Sequence, residues 1–147
     1  MICRINLQQT NYKIIDYRLL NHTDFARAEQ IYKQYIEYKK IESPHPIFIE
    51  DFELRTVFGY YDENELVAFS ITVPLPSKKT VLADQFAWDY KNPKLKLGYK
   101  SIRSECAYYK AQGYEYYILG DDDDKYKKEI QGFELITPDS RGMYSTL

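Results

Sequence analysis

The chain has 147 residues, 44% of them hydrophobic and 16% aromatic, and its formal net charge is -2. That length suits one domain, residues 1–147, around one core, and so much apolar material argues against disorder. Near-neutral charge gives no global push toward nucleic acid or membrane, and no apolar run approaches the ~20 residues of a spanning helix.

Taken in chain order, residues 12–20 read as a first strand. Asp24 can cap the next helix, which carries Phe25, Ala28, Tyr32 and Tyr35 at helical spacing. That helix must stop before Ser43-Pro44-His45-Pro46. Residues 47–54 fit a short second helix or an irregular connection. A hairpin follows: strands 56–61 and 66–73 flank the polar turn 62–65, and Pro74 and Pro76 end the second strand.

Residues 80–88 make the next strand, and a turn at Gly98 leads into a helix. Tyr99, Ile102, Cys106 and Tyr109 form its apolar face, which makes Cys106 a packed thiol. Gly113 can take the left-handed position that ends a helix, and the aromatic and aliphatic run 114–119 reads as a buried strand. Strand 80–88, helix and strand 114–119 form a βαβ unit, so the two strands should be parallel. Four aspartates at 121–124, a short helix through Gln131, a strand at 132–136, a turn at 138–142 and a possible last strand at 143–147 complete the order.

The chemistry-bearing residues are sparse. Cys3 and Cys106 are too few and too far apart for a disulfide framework, and the N-terminus lacks the apolar core of a secretory signal; a reducing, cytoplasmic setting is the expectation. His22 and His45 stand at no metal-ligand spacing, and the four aspartates fit an acidic helix start better than a cation loop, so no metal is expected. Free backbone N–H groups at a helix start after Gly98 can receive an anion. Lys91, Lys94, Lys96, Lys100 and Arg103 gather near that turn.

The residues Leu97-Gly98, Ser101, Arg103, Gly113, Tyr116-Tyr117 and Leu119-Gly120, with Asn92-Pro93 upstream, give residues 80–136 a resemblance to the C-terminal half of arginyl-tRNA–protein transferases. That half belongs to the GNAT (N-acetyltransferase-like) superfamily. The resemblance implies an α/β (α+β) chain with the GNAT, or acyl-CoA N-acyltransferase-like, fold: a central mixed sheet flanked by helices.

The resemblance also implies a transferase that moves an acyl group to an amine. An acyl-CoA donor would lie along the edge of strand 80–88 at Phe86, Ala87 and Trp88. Its phosphates would sit at Lys94, Lys96, Leu97, Gly98, Tyr99, Lys100 and Ser101. Tyr126 is the candidate acid for the leaving group, and Asp84 a candidate base. The acceptor would be a small-molecule or peptide amine, entering between the region of His45 and the acidic loop 121–124.

Two departures qualify the donor. GNAT acetyltransferases carry Gln/Arg-x-x-Gly-x-Gly/Ala; aligned on Gly98, this chain has Leu95 at the first position and Lys100 at the last. Tyr126 stands six residues before the pair Gly132-Phe133, where the family pattern has its tyrosine four before. Two other readings therefore stay open: a GNAT-like module that binds without catalysis, and an aminoacyl-tRNA-dependent transferase whose tRNA would meet the lysine cluster.

Overall fold

The computed structural model describes residues 1–13, 16–89, 95–120 and 125–143; the side chains of Lys125 and Tyr126 also lie outside the description. The described strands are β1 (Ile2–Asn6), β2 (Arg18–Leu19), β3 (Thr56–Asp62), β4 (Glu65–Leu75), β5 (Thr80–Trp88), β6 (Tyr116–Gly120) and β7 (Phe133–Ile136). They form one sheet in the order β2-β3-β4-β5-β6-β1-β7. The helices are α1 (Phe25–Lys39), α2 (Asp51–Leu54) and α3 (Leu97–Ala111).

Strand alternation decides which face each side chain joins. Val57, Phe69, Ile71 and Ala87 bury against Ala28, Ile31 and Tyr32 of α1 and Phe52 of α2. Phe58, Tyr60, Ala68 and Val81 bury against Ile102, Cys106 and Tyr109 of α3. Fully burying a side chain such as Val57, Phe69 or Ile71 contributes roughly 1.5–3 kcal/mol.

Helix α3 ends as the sequence implies. Gln112 is the cap and Gly113 follows at φ +89. The Gly113 N–H bonds the Lys110 carbonyl and the Tyr114 N–H bonds the Tyr109 carbonyl, each at 3.0 Å. The rings of Tyr109 and Tyr114 meet at 5.3 Å, adding the apolar contact that goes with such an end.

The N-terminus departs from expectation. The first strand is Ile2–Asn6, not 12–20; within 12–20 only Arg18 and Leu19 are in a strand, and residues 14 and 15 lie outside the described residues. Strand β1 enters between β6 and β7 and pairs antiparallel with both. Cys3 and Ile5 are thereby buried in the core. Gly132 permits this seam: it lies at φ +75, and a Cβ there would stand 2.3 Å from the Asn6 carbonyl oxygen. The possible strand at 143–147 lies, beyond Met143, outside the described residues.

Candidate active site

β5 and β6 run parallel, as the βαβ reading requires, but they pair only at Thr80, Val81 and Leu82 opposite Tyr116, Tyr117 and Ile118. Beyond that point β5 stays with β4 as far as Trp88, and β6 stays with β1 as far as Gly120. A register shift between β4 and β5 leaves Asp84 without a counterpart on β4. Such an extra residue bends a strand and re-aims its side chains.

The resulting gap holds a cavity of about 250 Å³. Its walls come from both layers: Tyr35 of α1, Ser70 of β4, residues 83–86 of β5, Ser101, Ile102 and Glu105 of α3, Tyr117 and Leu119 of β6, and Lys127. Groups approaching from the α1 side and from the α3 side can therefore meet at the sheet.

The wall on the α3 side carries a buried carboxyl. Glu105 is 1% exposed. Ser70 Oγ donates to its Oε1 at 2.9 Å, the Tyr117 hydroxyl donates to the same oxygen, and the Tyr60 hydroxyl stands 2.5 Å from Oε2. The Tyr60 hydroxyl also lies 3.1 Å from the Ser101 carbonyl oxygen. Burial pushes the Glu105 carboxyl up to about 7, against the lowering effect of its three hydroxyl donors. Burial also drives the phenols of Tyr60 and Tyr117 far up, with the Glu105 charge adding to it. Cys106 is raised for the same two reasons, which makes it an inert packed thiol.

The start of α3 differs from the sequence reading in one respect. Gly98 does not make the turn; it lies in the first turn of the helix. The left-handed residue is Lys96, at φ 49. The Lys100 N–H is already bonded to the Lys96 carbonyl at 3.0 Å; ahead of it in the first turn, the amides of Leu97 and Gly98 have no backbone acceptor among the described residues. One turn further on, Arg103 lies 4.9 Å from the centre of the Tyr99 ring, and its buried Nε has no hydrogen-bond partner among the described residues. These two amides, with Lys96, Lys100 and Arg103 close by, fit an anionic donor group.

The other expected residues divide clearly. Phe86 and Ser101 line the cavity. Ser101 Oγ donates to the Gly98 carbonyl, tying the helix start to the cavity wall. Leu97 is buried in the α3 core. Ala87 is buried on the α1 face. Trp88 meets Tyr35 and Tyr38 of α1, with ring centres 6.2 and 6.0 Å apart. Tyr99 donates its hydroxyl to Glu129, and that carboxylate pushes its phenol up to about 12.

Asp84 stands at the cavity mouth, 2.5 Å from Nη1 of Arg55. Tyr126 lies in the short 3-10 helix Lys125–Glu129, but its side chain is outside the described residues, as are Lys94, the acidic loop 121–124 and Lys91. Glu105 escaped the sequence reading. Its one signal there is position: a carboxyl on the same helix face as Ile102, Cys106 and Tyr109 must be buried.

No protein-family model and no curated protein matches the sequence. Solved structures do match. The C-terminal DUF2156 domain of a protein described as a lysylphosphatidylglycerol synthetase, from Agrobacterium fabrum, aligns with TM-score 0.66 at 12% identity over 81% of this chain and 45% of its own. A protein described as a GNAT-family acetyltransferase, from Novosphingobium aromaticivorans, aligns with TM-score 0.66 at 14% identity over 90% of this chain and 58% of its own. The chain has the GNAT fold. An aminoglycoside acetyltransferase from an uncultured soil metagenomic sample, in complex with sisomicin, shares it with TM-score 0.58 at 17% identity, over 78% of this chain and 82% of its own. The chain spans about half the length of the first two proteins (45% and 58%). Among the described residues, no helix is long and apolar enough to cross a membrane.

Proposed function

We propose that the chain is an N-acyltransferase that moves an acyl group from an acyl-CoA-type donor to an amine. The observation that carries this reading is the cavity in the gap between β5 and β6, walled by both helical layers and containing a buried carboxyl. Acyl transfer to an amine needs two substrates held in register and one proton removed, and such a gap supplies both. The start of α3 at Leu97, Gly98 and Tyr99, with Lys96, Lys100 and Arg103, would hold the donor's phosphates. Phe86, Ala87 and Trp88 would flank its acyl arm. Tyr126 is the acid we assign to the leaving group, and Asp84 the carboxylate that meets the acceptor ammonium at the mouth. A small-molecule amine acceptor accords with the aminoglycoside acetyltransferase sharing the fold.

Acetyl-CoA, longer acyl-CoAs and an aminoacyl-tRNA mimic, each added to the full chain in a thermal-unfolding assay, test the donor. A donor at 100 times its dissociation constant stabilises the fold by about 2.7 kcal/mol. No shift with any acyl-CoA overturns the acyl-CoA reading.

A shift with the aminoacyl-tRNA mimic alone selects the second reading, an aminoacyl-tRNA-dependent transferase. Leu95 and Lys100, which stand where acyl-CoA enzymes of this fold carry other residues, favour that reading, as does the residue resemblance over 80–136. Donor binding without turnover on any amine would leave a binding module.

A further inference from the structure

We propose that Glu105 is the group that takes the proton from the acceptor amine. The role rests on the acyl-transfer reading above and places the cavity's base on its buried wall rather than at the exposed strand carboxylate. Asp84 lies at the mouth with Arg55 Nη1 at 2.5 Å, and the two side chains are 42% and 36% exposed. Glu105 is 1% exposed and lines the same cavity from α3.

The hydrogen-bond arithmetic argues for a single proton rather than a caged cation. An ionised carboxylate offers about four acceptor sites. Ser70 and Tyr117 occupy two on Oε1, and Tyr60 occupies one on Oε2. One site on Oε2 remains, enough for one N–H and too few for an ammonium with three.

The Tyr60 hydroxyl then accommodates the proton once transferred. With Glu105 ionised, that hydroxyl donates to Oε2. With Glu105 protonated, it turns to the Ser101 carbonyl at 3.1 Å and accepts from the new Oε2–H. No buried group is left unsatisfied in either state, so the cost of a half-made network is avoided in both.

The step balances. An ammonium gives one proton to Glu105 and becomes a neutral amine. Its nitrogen forms the C–N bond to the acyl carbon as the acyl carbon's bond to the donor sulfur or oxygen breaks. The second N–H proton leaves with the donor, and Glu105 returns its own proton to water.

Other titratable or charged groups bear on the same carboxyl. These are the phenols of Tyr60, Tyr109 and Tyr117, the Cys106 thiol beside it on α3, and Lys127 and Asp84 across the cavity. The tyrosines and the cysteine are all raised, so none of them titrates below Glu105.

The test is Glu105→Gln in the full chain, with a panel of primary amines and the donor that stabilises the parent. Two readouts are compared. NMR of protein carrying carbonyl-labelled glutamate should show one carboxyl titrating near neutrality in the parent and none in the variant, and this reading needs no turnover. Turnover should fall by roughly 10²-fold or more, and the acid-side limb of the kcat/KM profile should disappear.

Turnover with the same limb in Glu105→Gln overturns the role of Glu105 alone. So does a neutral titration that persists in the variant. If the parent turns over no donor and amine pair while its Glu105 titrates as described, the acyl-transfer reading falls and takes this role with it.

Discussion

The two faces of the sheet are built differently. On the α1 and α2 face the cluster is almost wholly apolar, with Phe52 and Phe69 at ring-centre distance 6.0 Å and Ile31, Ile71 and Val57 around them. On the α3 face, buried hydroxyls and a carboxyl replace part of that material: Ser70, Thr72, Tyr60, Tyr109, Tyr117 and Glu105. A polar group taken from water costs stability unless it is hydrogen-bonded, and a charge costs more. The α1 face needs only shape. The α3 face carries polar groups that a purely structural core would replace, and three of them, Ser70, Glu105 and Tyr117, line the cavity.

The comparison breaks most visibly at Phe69, which is fully buried on the apolar face. Phe69→Ala should cost about 3–5 kcal/mol in chemical denaturation. That loss should be the same from acid to neutral pH, because the one titratable ring in contact with Phe69 among the described residues, Tyr32, has its phenol raised above the ordinary 10.0. A loss that varied with pH would erase the distinction between the faces.

Glu105→Gln should behave in the opposite way. The Glu105 carboxyl has an ordinary value of 4.5 and is raised to about 7 in the fold. A group raised on folding stabilises the fold fully below its unfolded value, and that contribution is lost as pH rises through the folded value. The parent should therefore lose stability relative to the Gln variant between pH ~4.5 and ~7, by about 3 kcal/mol at roughly 1.36 kcal/mol per pKa unit. Denaturation curves of both proteins at about pH 4.5 and pH 8 measure it. Parallel pH profiles would mean that Glu105 ionises in the fold as it does in the unfolded chain.

How much of this contrast the sequence carried depends on the range of the interactions. Strand 80–88, the α3 helix and its Gly113 end were legible, because periodicity and capping act within a few residues. The parallel pairing of β5 and β6 followed from the βαβ pattern. β1 was not legible: five residues at the chain end mean little until their partners, near positions 120 and 135, are known. Glu105 was hidden for the same reason, since Tyr60 and Ser70 stand 45 and 35 positions away. Gly98 misled because a glycine beside a helix start suggests the turn itself, whereas Lys96 adopts the left-handed conformation two residues earlier.

A smaller effect sharpens the polar face. The hydroxyls of Tyr109 and Thr72 lie 2.5 Å apart in the core, and Thr72 also donates to the Thr56 carbonyl. Tyr109→Phe should cost about 1–2 kcal/mol, the range for losing a buried hydrogen bond. In a double-mutant cycle with Thr72→Val the two losses should be less than additive, because they remove one shared interaction. Additive losses would show that the two hydroxyls bond elsewhere.

Asp84 should give the smallest effect on stability and the most informative one on rate. It belongs to neither core: it sits where the register shift of β5 turns it outward, paired with Arg55 at an exposed mouth. Exposed ion pairs contribute about 0–1 kcal/mol, so Asp84→Asn should leave the denaturation midpoint nearly unchanged. Any change in turnover then reports on substrate rather than on folding. If Asp84 meets the acceptor and Glu105 takes the proton, Asp84→Asn should raise KM for the amine, most at low salt where surface charges act at longest range. It should leave the acid-side limb of the kcat/KM profile in place. Loss of that limb in Asp84→Asn, with its survival in Glu105→Gln, would move the base from the buried face to the cavity mouth.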